Sequence, residues 1–134
     1  MPAKRGQAPA NASCRLYYGA TYLLESFANN LGVAKDLRVC FPDSYKQLLS
    51  VALYLILEES NPLYRFAKWH QTHKHPYGED ISSPRSSELF SGITDAQINE
   101  FFRLQGQRRI KEEYWAYDST SISSYSETLK QVQY

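Results

Sequence analysis

Asp118 is the only carboxylate between Tyr114 and Tyr125, a stretch otherwise made of aromatic, β-branched and small hydroxyl residues. Tyr114, Trp115, Tyr117, Thr120, Ile122 and Tyr125 suit a pleated surface, so the stretch predicts a strand. Alternation places Asp118 on one face with Ala116, Thr120 and Ile122, and Trp115, Tyr117, Ser119 and Ser121 on the other. A lone carboxylate in a strand suited to burial is costly unless something pairs with it. Two readings compete. Asp118 caps a turn or accepts backbone hydrogen bonds from the Ser/Thr run, or it is a metal ligand of a phosphoryl-transfer site.

A second constellation runs from Asn61 to Tyr77. It holds Arg65, Lys68, Lys74 and three histidines with no acidic residue, interleaved with Tyr64, Phe66, Trp69 and Tyr77. Cations among aromatics suit phosphates and unstacked bases. Arg65 and Lys68 are the preferred phosphate contacts, with Lys74 beside them. The alternative is a helix with an aromatic core face and a solvated basic face. His70 and His73, at i and i+3, invite a zinc reading with His75. No Cys is near and Pro76 turns the chain away, so His70 is read as a partly buried helix residue. Arg103, Arg108, Arg109 and Lys111 are mixed with Glu100, Glu112 and Glu113. They read either as a solvated helix end with surface ion pairs or as a DNA contact led by Arg108 and Arg109. Ser119, Ser121, Ser123 and Ser124 lack a local histidine or a nucleophile-elbow pattern and are not read as nucleophiles.

The run AYDSTSISSYSETLKQVQY, Ala116 to Tyr134, resembles the segment around the first catalytic aspartate of insertion-sequence transposases of the DDE type, in the IS-four superfamily. The phrases CFPDSYKQLLSVALYLILEESNPLYRF (Cys40 to Phe66), KWHQTHKHPYG (Lys68 to Gly78) and RSSELF (Arg85 to Phe90) are similar to the region before that strand. The resemblance spans roughly Tyr18 to Tyr134, with its phrases in the family's order. It implies a mainly α chain: a multi-helix N-terminal region, followed by the first strand of a truncated RNase H-like α/β domain. The expected organisation is a disordered basic tail over 1–15, a helical region over 16–112 and the start of the catalytic domain over 113–134.

The implied activity is DNA transposition by metal-dependent phosphoryl transfer. Three carboxylates would hold two Mg²⁺ (or Mn²⁺) ions, with Asp118 as the first catalytic and metal-binding ligand. Only Asp118 matches a family catalytic position, so this chain alone is expected neither to cleave nor to join DNA, nor to bind metal tightly. Implied partners are the transposon ends and a second copy of the chain or a full-length transposase. The alternative is a non-catalytic DNA-binding or regulatory truncated transposase, or an inert gene remnant.

Composition sets outer bounds. The chain has 134 residues, enough for one domain, with 43% hydrophobic and 14% aromatic content. A net charge of +1 does not by itself point to nucleic acid, so any such case rests on where the charge lies. Cys14 and Cys40 form no zinc or disulfide pattern, and Met1 to Cys14 has no apolar core of a signal peptide. The longest apolar run, Leu48 to Leu57, falls short of a membrane span of about 20 residues. A cytoplasmic protein is expected.

The elements that would position these residues are helices. Ala20, Leu23, Leu24, Phe27 and Leu31 predict an amphipathic helix ended by Gly32 in a left-handed cap. Val33 to Phe41 predicts a short second helix, with a strand over Leu37 to Phe41 left open. Ser44 and Gln47 have capping-box spacing ahead of a helix that is apolar nearly all round and therefore expected to be surrounded, with Leu53 and Leu57 both buried. Pro62 opens the next helix, with Leu63, Phe66, Ala67 and His70 on one face and an end near His75. Ser83-Pro84 starts a helix that stops at Gly92. Thr94 and Gln97 form a second capping box, ahead of a core face of Ile98, Phe101 and Phe102. A single strand after these helices has no partner for a sheet.

Overall fold

The computed structural model describes residues 14–59 and 61–110. The predicted strand, Asp118, Lys111 and the 1–13 part of the basic tail lie outside these residues. The described residues fold into six α-helices and one 3-10 turn: α1 (Gly19–Asn30), α2 (Val33–Cys40), α3 (Tyr45–Leu57), the 3-10 turn Leu63–Arg65, α4 (Phe66–His70), α5 (Ser83–Ser91) and α6 (Asp95–Arg109). The mainly α expectation holds for them. None of these helices is long and apolar enough to cross a membrane.

α3 is the common wall of two apolar clusters. Val51 and Tyr54 pack with Phe66, Trp69 and Ile81. Leu49 and Leu53 pack with Ala34 of α2, and Leu24 and Ala28 of α1 close that side. The helix is not surrounded, however. Leu55 and Ile56 are exposed and Leu57 is only partly buried. Neighbours cover two sides of α3, and the third faces solvent.

α1 forms where expected, but its packed face is rotated. Leu23, Phe27 and Leu31 are exposed, whereas Thr21, Leu24 and Ala28 face the core. Positions 21, 24 and 28 also follow helical spacing. Thr21 is tolerated inside because its hydroxyl donates to the Tyr18 carbonyl at 3.0 Å. Before α1, Tyr17 pairs in parallel with His73: Tyr17 N donates to Thr72 O at 2.7 Å and Lys74 N to Tyr17 O at 2.9 Å.

Gly32 links α1 to α2 with φ of 76°, the left-handed conformation that glycine takes without steric cost. It serves a second purpose. A Cβ there would overlap the end of the Arg108 side chain, so the missing side chain leaves room for that guanidinium beside Asp36. α2 is helical through Cys40, which removes the strand alternative for Leu37 to Phe41.

The two expected capping boxes part company. Thr94 has extended backbone (ψ 151°), its hydroxyl accepts from Gln97 N, and the Gln97 side chain returns to Thr94 N. Ser44 makes no such bond. It sits in a turn, with ψ near 0° and its own N–H donating to Phe41 O, a conformation without the extended geometry of a cap. Gly92 ends α5 in right-handed rather than left-handed backbone.

Of the expected α6 face only Phe101 packs inward. Ile98 and Phe102 are exposed. Contact comes from Gln97, which donates to the Cys40 carbonyl at 3.1 Å, from Phe101 against Phe41, and from Gln105 and Arg108. The last two converge on Asp36, which is 2% exposed: Arg108 Nη2 lies 2.6 Å from Oδ1 and Gln105 Nε2 donates to Oδ2. A buried carboxylate left without its cation is strongly destabilising. Because Arg108 is partly exposed, Arg108→Ala is expected to cost about 2 kcal/mol rather than the larger loss typical of fully buried pairs. Urea denaturation checks this, and an unchanged midpoint would count against the pairing.

Candidate nucleic-acid interface

Arg65, Lys68, Trp69 and Thr72 recur at i, i+3, i+4 and i+7, which places them on one side of the 3-10 turn, α4 and the turn that follows. α4 ends at His70, earlier than the His75 expected from Pro76. These residues line a groove of about 220 Å³ against the C-terminal end of α3, where Tyr54 and Glu58 form the opposite wall and Asn61 and His73 complete it.

The groove is built on rigid parts. Trp69 is 5% exposed, packs edge-on against Tyr54 with centroids 5.6 Å apart, and stacks on His73 at 4.9 Å. The Tyr54 hydroxyl donates to the Pro62 carbonyl at 2.8 Å and so ties the 3-10 turn to α3. Asn61 bridges across the rim: its amide donates to Glu58 and its oxygen accepts from Arg65 Nη1 at 2.9 Å. The Trp69 indole Nε1 is buried and has no acceptor among the described residues. Arg65 and Lys68 are both exposed. With Glu58 they leave the groove one positive charge in excess when His73 is neutral.

Lys74 lies elsewhere. Its ammonium sits 4.5 Å from the centroid of the Tyr18 ring. It also acts on Glu25, whose carboxyl is pushed up by burial and drawn partly back by Lys74. Arg108 is held on α6 by Asp36, so phosphate would compete with a buried carboxylate for its charge. Arg109 follows at the end of the same helix. Arg103 pairs with Glu100 at 2.6 Å, the surface ion pair expected of this region. Of the five cations proposed from the sequence, the structure brings together Arg65 and Lys68.

The three histidines are a structural group. His75 is 5% exposed and lies between His70 and Ser50: its Nε2 is 2.9 Å from His70 Nδ1 and its Nδ1 is 3.0 Å from Ser50 Oγ. The Gly78 N–H donates to His75 Nδ1, which assigns the hydrogen to Nε2. Ser50 Oγ accepts from Tyr77 N at 2.9 Å and lies within donating distance of the Lys46 carbonyl at 2.8 Å. Ser50 is fully buried, so this Ser–His–His line fastens the loop 75–78 to α3 and offers no reachable nucleophile. His73 Nδ1 is turned to Trp69 O and Thr72 Oγ1. His70 is half-buried, as the spacing implied. Among the described residues no group of three or more His, Cys, Asp or Glu is placed to hold a metal ion. Cys40 is buried, which pushes its thiol pKa up and makes it a poor nucleophile.

Trp69 had little warning in the sequence as a groove residue. It stood among the interleaved aromatics, and only its i+1 and i+4 relations to Lys68 and Arg65 place it beside them. Glu58 gave no signal, because it belongs to the previous helix.

No family model, no curated protein and no solved structure matches the chain.

Proposed function

We propose that this chain is the N-terminal helical part of a DDE-type transposase and that it contacts DNA phosphates through Arg65 and Lys68. The observation that carries the DNA contact is the groove beside α4, where two exposed cations meet on a wall of buried aromatics. Side chains fixed by packing on one side and open on the other suit backbone recognition. The ordered phrases from Cys40 to Phe90 and the run around Asp118 carry the transposase assignment. In that reading Asp118 is one of three carboxylates around Mg²⁺, which would supply activated water and a stabilised leaving oxygen. The part of that activity assigned to the helical region is DNA binding, in end recognition or in regulation of a full-length enzyme.

The test is the salt dependence of duplex binding. Each phosphate contact contributes about 0.9 to the slope of log K against log salt. Arg65→Ala with Lys68→Ala is expected to lower the slope by about two. A slope unchanged in the double variant would return both side chains to a solvated face.

A further inference from the structure

We propose that the groove beside Trp69 seats a single phosphate group of the DNA backbone, with the indole N–H as one of its donors. The inference rests on the DNA-binding reading and adds to it a defined subsite and an uncharged donor.

The warrant is the Trp69 side chain. Indole nitrogen is a donor only. Buried and without an acceptor among the described residues, it carries a desolvation cost of about 1–3 kcal/mol that those residues do not recover. Trp69 is held from three directions, by Tyr54, Phe66 and His73, so the N–H cannot rotate away to find water. It belongs to the wall of the same groove as Arg65 and Lys68. A ligand that satisfies all three must bring several acceptors and no donors, within a small radius and with negative charge. A phosphodiester does this. The N–H lies under the groove surface, so the exposed Arg65 and Lys68 side chains must swing aside to admit the anion to it.

Glu58 opposes an anion and fixes the sign of a control. Its carboxylate accepts from Asn61, which in turn accepts from Arg65. It therefore holds Arg65 at the rim through Asn61 while repelling negative charge. Glu58→Gln keeps an acceptor oxygen for Asn61 and removes the repulsion. Phosphate affinity should then rise, opposite to the effect of removing either cation.

The experiment follows the indole N–H resonances of the full ¹⁵N-labelled chain in phosphate-free buffer. There are two tryptophans, Trp69 and Trp115, and Trp115→Phe assigns the signals. The titrants are inorganic phosphate and, separately, a short DNA duplex. The Trp69 resonance is expected to move saturably with both and in the same direction. Lys68→Ala and Arg65→Ala should each weaken phosphate about tenfold, and Glu58→Gln should tighten it roughly threefold. The same spectra report whether each variant is folded. A Trp69 resonance that phosphate does not move, in a chain that still binds the duplex, overturns the seat and leaves the DNA reading standing. A phosphate-dependent shift in a chain that does not bind the duplex keeps a small-anion seat and overturns the DNA reading. A shift unaltered by loss of both cations overturns the subsite as drawn.

Discussion

Phe66→Ala is expected to remove about 3–5 kcal/mol of folding stability. Phe66 has no exposed surface. Its ring meets Tyr54 and Trp69 at 5.5 Å and His75 at 5.3 Å, so alanine leaves a cavity bounded by three rings. These neighbours cannot close it easily. Tyr54 is tied to Pro62 through its hydroxyl, and His75 is tied to Ser50 and His70. Tyr54 and Trp69 are also groove walls, so the same substitution should weaken phosphate binding without touching a cation. Phe66→Leu keeps most of the volume and should cost about a third as much. Urea denaturation followed by circular dichroism measures both. A loss below about 1 kcal/mol for Phe66→Ala would mean that this cluster does not hold α4 on α3.

Acidification is expected to destabilise the fold by up to about 3 kcal/mol through His75 alone. Burial, with smaller contributions from His70 and His73, lowers the His75 pKa from 6.5 to about 4. Above pH 6.5 the imidazole is neutral in both the folded and the unfolded chain, and the full stability is present. Between pH 6.5 and about 4 the unfolded chain takes up a proton that the folded chain refuses, so stability falls throughout this window. Below it both states are protonated and the loss is complete. The structural reason is local. A proton on Nδ1 would turn the acceptor for Gly78 N–H into a donor, inside a site that water does not reach. His75→Asn should be less stable at pH 7.5 and show a much flatter decline down to pH 4. An equally steep decline in His75→Asn would assign the acid sensitivity to other groups.

Much of the helical framework was legible, because it rests on local chemistry. Gly32, Pro84 and the Thr94/Gln97 pair act within a few residues of themselves, and each marks a real helix boundary. The faces were less legible. Counting apolar residues placed Leu24 and Phe101 inward correctly, but with them Leu23, Phe27 and Leu31 of α1 and Ile98 and Phe102 of α6, which are exposed. The inward positions include Thr21, Asp36, Ser50 and His75, polar residues that burial admits only with partners. For Asp36 those partners, Gln105 and Arg108, come 69 and 72 positions later; for Ser50 they come 25 and 27 later. No local pattern announces them. The candidate site shows the same division. Arg65 and Lys68 were legible from charge and helical spacing, and their facing wall on α3 was not. Arg108 looked like a phosphate contact because its counter-ion lies in another helix.

The most direct test of the central claim is to map the backbone amides of the chain as a DNA duplex is added. DNA binding at the groove predicts the largest shifts at Arg65, Lys68, Thr72 and His73, and no movement at Asp36 or Arg108, whose ion pair stays closed. Shifts concentrated along α6, or none at any duplex concentration, would contradict it.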